Sequence, residues 1–557
     1  MNRTDLPHAR GTTCLPSLLT VLCLAVSANA NDFSDAARRF DRAARDEMAS
    51  WGISGISAAM IDGDRIVHLA AFGEVTTNSV FRCGSISKLF NAIAVMQLVE
   101  QGRLDLDAPV GRYAPGLVPL NPFTNSPPVT LRQILCHRSG LPRESPVGGY
   151  LDDTEPSLAQ TVGSLAGCVL ATAPNAKMRY SNIAPSLAGY IVANASGGSF
   201  QQYQREHLLS PIGMEHSGWL LKEVARKNIA PAYLQVAKPD GGFAHRRVPM
   251  FDLGTVPAGN LFTTAPDLAR FVMMLAAEGM GANGRVLKAA TLQQMFTPQL
   301  VDGDTGFGLG FSIGKFRGRK AVGHNGAVYG YSSALTFLPN EKLGVVVLGN
   351  EDIVNGRIGR LANLALSLML EAKFGEAPPV TKFVELSPQQ LNDFAGDYES
   401  QSYWARLEVR DGKLTGAMSG QPLKFSAMGT NQFLVNSRLD ADLPVKFTRD
   451  ASGKVTGFTL GIQNFTRVPA TTPELPKEWR ALLGSYGPSF IPIIISERHG
   501  HLYAMTENMV DYRLTPVNRH VFLLPPGMYV DEHLVVLPGR DGKPHSISFA
   551  GMVLRRR

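Results

Sequence analysis

Ser85 and Lys88, three residues apart at the head of an apolar run, could do nucleophilic chemistry in this 557-residue chain. A serine hydroxyl is a poor nucleophile until a neighbouring base takes its proton. A lysine amine is that base only if desolvation or nearby cations lower its pKa. On a helix, residues i and i+3 share a face, which stands Lys88 one turn above Ser85. The run that follows is apolar at Leu89, Phe90, Ile93, Ala94, Val95, Met96, Leu98 and Val99, and stops at Gly102. It predicts a buried helix of about four turns starting near Ser85. The N-terminus of such a helix also aims backbone N–H groups at an oxyanion. Ser-x-x-Lys by itself equally describes a helix face whose lysine snorkels to water, so its partners decide.

Two stretches supply candidate partners. Met178-Arg-Tyr-Ser-Asn182 sets Tyr180 and Asn182 two apart, and Ala321-Val-Gly-His-Asn-Gly-Ala327 opens a strand carrying His324. Singly, each has a plain structural reading: a buried phenol and a turn residue, or a satisfied core histidine. His216-Ser-Gly218 also fits His-x-Gly, but it follows Pro211-Ile-Gly-Met214 at a helix end rather than opening a strand, and is set aside.

The elements that must position these residues follow from periodicity and turns. Asp32 to Ser50 reads as a charged amphipathic helix. Gly55 to Asp62 and Arg65 to Phe72 form a hairpin about Asp62-Gly-Asp64. Helices and loops run to about residue 300, with Thr264-Ala-Pro-Asp267 reading as a capping box with Pro in the first turn. Strands return at Ala321 to Gly326, Tyr331 to Leu338 and Leu343 to Gly349, and Ile358 to Phe374 closes the region as a helix. The sheet is thus assembled from both ends around a helical insertion. Beyond the linker Glu376-Ala-Pro-Pro379, a pattern recurs at a spacing of 88: Leu391 to Trp479, Tyr398 to Tyr486, Gly412 to Gly500 and Arg467 to Arg555. Alternating strands with turns such as Asp411-Gly412 and Asp541-Gly542 predict two small antiparallel barrels in tandem. The expected divisions are 1–30, 31–376, 385–469 and 474–557.

Composition bounds the rest. A hydrophobic content of 44% with 18% charged residues describes a globular chain with ample core. The net charge of +7 is mild for this length, and its short basic clusters lack interleaved aromatics, which speaks against a nucleic-acid partner. Arg3 and Arg10, the apolar Cys14 to Val26, and Ala28-Asn-Ala30 read as a cleaved signal peptide. A periplasmic or secreted protein without a stable membrane anchor is therefore expected. Cys83, Cys136 and Cys168 remain; buried thiols are expected, a Cys136–Cys168 bridge is the alternative, and Cys83 stands too near the nucleophile to be idle packing. No HExxH, cysteine cluster or phosphate loop occurs, so no metal and no cofactor is implied.

The three motifs in this order resemble the serine penicillin-recognising hydrolases of the class C β-lactamase type. The likeness extends to Thr130–Pro142, Ala258–Phe271, Phe307–Phe311 and Gly330–Ser333, and runs from about residue 33 to 373. It implies an α/β domain whose antiparallel sheet is flanked by helices, with a helical insertion. It further implies an acyl-enzyme on Ser85, with Lys88 and a phenolate-like Tyr180 sharing the proton. Asn182 would orient the acyl group, and the N–H groups of Ser85 and Ala327 would hold the oxyanion. Gly326 would admit substrate close to the strand. His324 stands where β-lactamases usually carry lysine, which favours peptidases and esterases over destruction of β-lactams. The tandem barrels resemble accessory domains of D-amino-acid-specific aminopeptidases. The resulting expectation is a peptidase or amidase on small molecules or short peptides that can include D-residues. The alternatives are a carboxylesterase, a β-lactamase, or a non-catalytic penicillin-binding-type sensor.

Overall fold

A computed structural model describes residues 32–237, 243–300, 303–540 and 542–557; the signal-peptide reading and Asp541 of one turn lie outside the described residues. Seven strands form the main sheet: β1 (Gly55–Asp62), β2 (Arg65–Gly73), β3 (Gly306–Phe307), β4 (Ser312–Phe316), β5 (Arg319–Val328), β6 (Tyr331–Leu338) and β7 (Leu343–Gly349). Their order is β2-β1-β7-β6-β5-β4-β3, antiparallel throughout. As expected, the first strands of the chain pair with the last of this region, Ile56 opposite Gly349.

Side chains alternate across the sheet with a period of two. Ile56, Ala58 and Met60 of β1, with Val345 and Val347 of β7, pack beneath helices α1 (Ser34–Trp51) and, near the end of the region, Asn355–Phe374. Ala59, Ile61, Val346 and Leu348 face the opposite core, which holds α2 (Ser87–Glu100). Both faces being covered, β1 and β7 are apolar almost throughout rather than alternating with polar residues. Helix α2 is buried from Ser87 to Leu98, and α3 (Ile183–Ser196) packs on it. The helix Ala265–Ala276 is capped by Thr264, whose side chain accepts from the Asp267 N–H.

The first repeat is a closed eight-stranded antiparallel barrel, from Gly396–Glu399 to Gln463–Arg467. Phe394, Tyr398, Phe433, Phe447, Phe458 and Phe465 fill its interior. The second repeat divides into a four-stranded and a five-stranded sheet, joined where Tyr486 bridges Arg556. The repeated residues do the same work in both copies. The Tyr398 hydroxyl donates to Phe394 O at 2.8 Å, and the Tyr486 hydroxyl to Leu482 O at 2.9 Å. Arg467 donates to the carbonyls of Asp393 and Ala395; the corresponding carbonyls, Ala481 and Leu483, receive Arg556. The counterpart of Arg467 is therefore Arg556, not Arg555, because the second copy holds one more residue before its arginine.

Both repeats are docked on the hydrolase-like region. Arg438, from a loop of the first, donates to Asp352 O beyond β7 at 2.8 Å. A Cβ on Gly356 would lie 2.4 Å from the Asp440 nitrogen, so only glycine admits that loop. From the second, Glu532 receives the buried Arg179 guanidinium and, at 2.8 Å, the Arg143 backbone N–H. No described helix is long and apolar enough to cross a membrane.

Candidate active site

The nucleophile turn is clamped from several sides. Phe81–Arg82 pairs with Phe262–Thr263, and the Cys83 N–H donates to Leu261 O at 2.9 Å. Gly84–Ile86 is a 3-10 turn, and α2 proper starts at Ser87, two residues later than expected. The Ser87 hydroxyl donates to Gly84 O at 2.6 Å and accepts from the Leu261 N–H at 3.0 Å. Gly84 has a φ of +55°, and a Cβ there would meet the Ala327 backbone at 2.9 Å. The turn thus lies directly against β5. The Cys83 thiol is buried packing whose pKa burial raises; contrary to expectation, its role beside the nucleophile is carried by its carbonyl, which accepts from Ser333 Oγ at 2.8 Å. Cys136 and Cys168 are free thiols.

The structure brings Ser85, Lys88, Tyr180 and Asn182 together. Lys88 Nζ lies 2.9 Å from Ser85 Oγ, 2.8 Å from Asn182 Oδ1 and 2.8 Å from Ala258 O. Two of these partners are carbonyl oxygens, which only accept. An ammonium donates to all three partners; a neutral amine, with two hydrogens and one lone pair, keeps both carbonyl bonds and turns its lone pair to the Ser85 hydroxyl. Burial favours this neutral form and lowers the Lys88 pKa well below its ordinary value; Glu144 works the other way and Arg143 adds to the lowering. Asn182 completes a chain by donating from Nδ2 to Glu144 Oε1. Glu144 is buried, and burial raises its pKa to about 7 against the pull of Arg143 and Asn182.

Tyr180 lines the same cavity as Ser85, and burial, opposed by the Ser85 side chain and Arg143, raises its pKa to about 12. It is a phenol at neutral pH, so the phenolate-like reading does not hold: burial outweighs the pull of the Ser85 side chain and of the Arg143 charge. His137 stacks on its ring at 4.3 Å. His324 is uncharged, in keeping with a histidine standing in place of lysine. Its Nδ1–H donates to Asn325 O, its Nε2 is buried without a partner, and burial followed by Lys88 lowers its pKa to about 4. It is a neutral imidazole above that pH and supplies no cation. Gly326 is required for another reason than substrate approach: a Cβ there would lie 2.0 Å from Cys83 O and 2.3 Å from Ser333 Oγ. Ala327 follows on β5 and lines, with Ser85, Tyr180, Asn182, His324 and Arg143, one cavity of about 300 Å³.

Sequence reasoning missed Arg143, Glu144 and the Ala258 carbonyl. The available signal was a charged pair directly after Leu141-Pro142; a backbone carbonyl carries no sequence signal. Among the described residues, no group of three or more His, Cys, Asp or Glu could hold a metal ion.

Comparison with known proteins agrees with this geometry. The family described as Beta-lactamase matches residues 40–367. The chain is 29% identical over 367 residues to Penicillin-binding protein 4 of Amycolatopsis lactamdurans, covering 62% of this chain and 92% of that one. It is 32% identical over 174 residues to the D-alanyl-D-alanine-carboxypeptidase/endopeptidase AmpH of Escherichia coli (strain K12), 29% of this chain and 45% of AmpH. In fold it is similar to an octameric penicillin-binding protein homologue from Pyrococcus abyssi, with a TM-score of 0.53, 24% identity, and 77% and 99% of the two chains covered. D-amino acid amidase from Ochrobactrum anthropi SV3 gives a TM-score of 0.52 at 22% identity, covering 61% of this chain and all of that one (100%).

Proposed function

The chain belongs to the beta-lactamase family, whose members are serine hydrolases, and on that premise we propose that it is an exported peptidase or amidase acting on small peptides, D-residues included. The carrying observation is the buried Lys88 amine, 2.9 Å from Ser85 Oγ and held by Asn182 Oδ1 and Ala258 O, which once neutral turns its lone pair to the Ser85 hydroxyl. Ser85 Oγ attacks the scissile carbonyl carbon as Lys88 takes its proton, and the N–H groups of Ser85 and Ala327 hold the oxyanion. The Tyr180 phenol, which lines the cavity with Ser85, protonates the leaving amine as the C–N bond breaks and recovers its proton from Lys88. Water then attacks the acyl carbon, Lys88 again being the base, and Ser85 is released as a hydroxyl.

The small cavity favours short substrates. The similarity to a D-alanyl-D-alanine carboxypeptidase supports the D-residue preference, and the N-terminal basic, apolar and small-residue pattern supports export. An uncharged His324 also suits neutral esters, which keeps carboxylesterase as the second reading. Assaying D-alanyl amides, p-nitrophenyl esters and a chromogenic cephalosporin on one preparation tests the assignment. Highest kcat/KM on the D-alanyl amides is expected; turnover confined to esters would replace the peptidase reading by the esterase one.

A further inference from the structure

Two basic side chains from different elements line the cavity beside Ser85: His324 from β5 and Arg143 from the segment after Leu141-Pro142. Only Arg143 is a permanent cation there. We propose that Arg143 is the specificity-determining residue of this site, its guanidinium receiving a free carboxylate of the substrate, and that the second β repeat holds it in place. This rests on the serine-hydrolase reading and names the substrate class within it: small acyl compounds that carry a free carboxylate.

The guanidinium is placed for such a task. It lies 5.5 Å from the Tyr180 ring centroid and 5.3 Å from that of Tyr529, a residue of the second repeat. Contacts with two aromatic rings engage the guanidinium while its N–H groups remain available to a carboxylate fork. Among the described residues, the one carboxylate within 4 Å is that of Glu144, whose Oε1 lies 3.6 Å from Nε and already accepts from Asn182. Arg143 Nε is buried without a hydrogen-bond partner, and 15% of the side chain remains exposed. Glu144 and Glu507 already favour the charged form, so a substrate carboxylate adds a hydrogen-bonding partner to a cation that is held charged. Its main chain is fixed at both ends of the residue. The N–H donates to Glu532 Oε1 at 2.8 Å, and the carbonyl accepts from the Asn182 N–H at 2.7 Å. Arg143 therefore stands at a set position relative to Asn182, and the second repeat sets it.

The test compares three substrates in wild type, Arg143→Gln and Arg143→Lys: a D-alanyl dipeptide with a free C-terminal carboxylate, its C-terminal amide, and p-nitrophenyl acetate. Arg143→Gln should lower kcat/KM for the free-carboxylate peptide roughly 10- to 100-fold, the range expected for a charge-assisted hydrogen bond. The loss should be mainly in KM. Losses that reach the other two substrates through Lys88 and Tyr180, both of which feel the Arg143 charge, cancel in the carboxylate-to-amide ratio, which should itself fall roughly 10- to 100-fold. Arg143→Lys keeps the charge without the fork and should fall between, and it decides the same ratio should Arg143→Gln fail to fold. An unchanged carboxylate-to-amide ratio, or equal losses on all three substrates, overturns the proposal. Calorimetric binding of N-acetyl-D-alanine and its amide to the Ser85→Ala protein reads the carboxylate preference without turnover. A preference that Arg143→Gln or Arg143→Lys reduces supports Arg143 even if wild type hydrolyses no peptide, in which case the peptidase reading alone falls. No preference overturns Arg143 even if p-nitrophenyl acetate is turned over at Ser85.

Discussion

Lys88 is a base because its neighbours are carbonyl oxygens and because it is buried, and each of these has a measurable consequence. With its pKa lowered, the neutral amine is present well below the pH at which an ordinary lysine loses its proton. The acid limb of the kcat/KM profile should therefore lie far below pH 10. Glu144 raises the Lys88 pKa by its charge, so Glu144→Gln, which keeps an acceptor for Asn182, should move that limb to lower pH. A limb that stays put or moves up would separate Glu144 from the base. Ser85, Lys88, Tyr180 and Asn182 were legible in the sequence because helix spacing and a short motif carry them. The charge state of Tyr180 was not. It is set by burial among residues distant in the chain, which leaves it a phenol, whereas a histidine in place of lysine already pointed to a neutral side chain at His324. Arg143 and Glu144 escaped notice for a related reason: what gives them a role is the contact with Asn182, and no local pattern records it.

At the level of elements, hairpin turns and periodicity located the sheet and its closing helix, and the differences are at the ends. Ser85 sits in a 3-10 turn ahead of α2 because the close approach of β5 at Gly84 and Ala327 leaves no room for a regular first turn. The residues just beyond β7 were passed over entirely. Glu351 is fully buried there, and burial raises its pKa to about 8, with Arg438 opposing and Asp352 adding. Its folded-state pKa is above its unfolded value of about 4.3, so between these values the folded chain holds a proton that the unfolded chain has lost. Stability contributed by the protonated group is present at low pH and falls as pH rises through that window. Glu351→Gln should remove this decline, making the protein less sensitive between pH 5 and 8 by on the order of 1–3 kcal/mol. Denaturant unfolding at the two pH values measures it; an unchanged pH dependence would show that Glu351 ionises in place.

Over the whole molecule, the tandem repeats do more than follow the hydrolase region. The spacing of 88 was readable because the same tyrosine-to-carbonyl bond recurs in each copy. Their docking was not readable, since it depends on single side chains at loop ends, Arg438 in one copy and Glu532 in the other. Glu532 joins the residues immediately before Glu144 and Tyr180, holding Arg143 by its N–H and Arg179 by its guanidinium. Glu532→Ala would leave the buried Arg179 with the Val530 carbonyl and the more distant Asp531 carboxylate, 3.6 Å away, at a cost of up to about 3–5 kcal/mol. It should lower the melting temperature and also kcat, because Tyr180 follows Arg179 directly. Full activity at a lowered melting temperature would confine the repeat to a role in stability.

The central claim, that Ser85 is acylated with Lys88 as its base, is tested most directly by intact-protein mass spectrometry of a fluorophosphonate adduct, followed by peptide mapping. One adduct per chain on the peptide containing Ser85 is predicted. It should be absent from Ser85→Ala and formed more slowly by orders of magnitude in Lys88→Ala. Stoichiometric labelling of the Ser85→Ala protein, or an adduct mapped to another serine, would contradict the account.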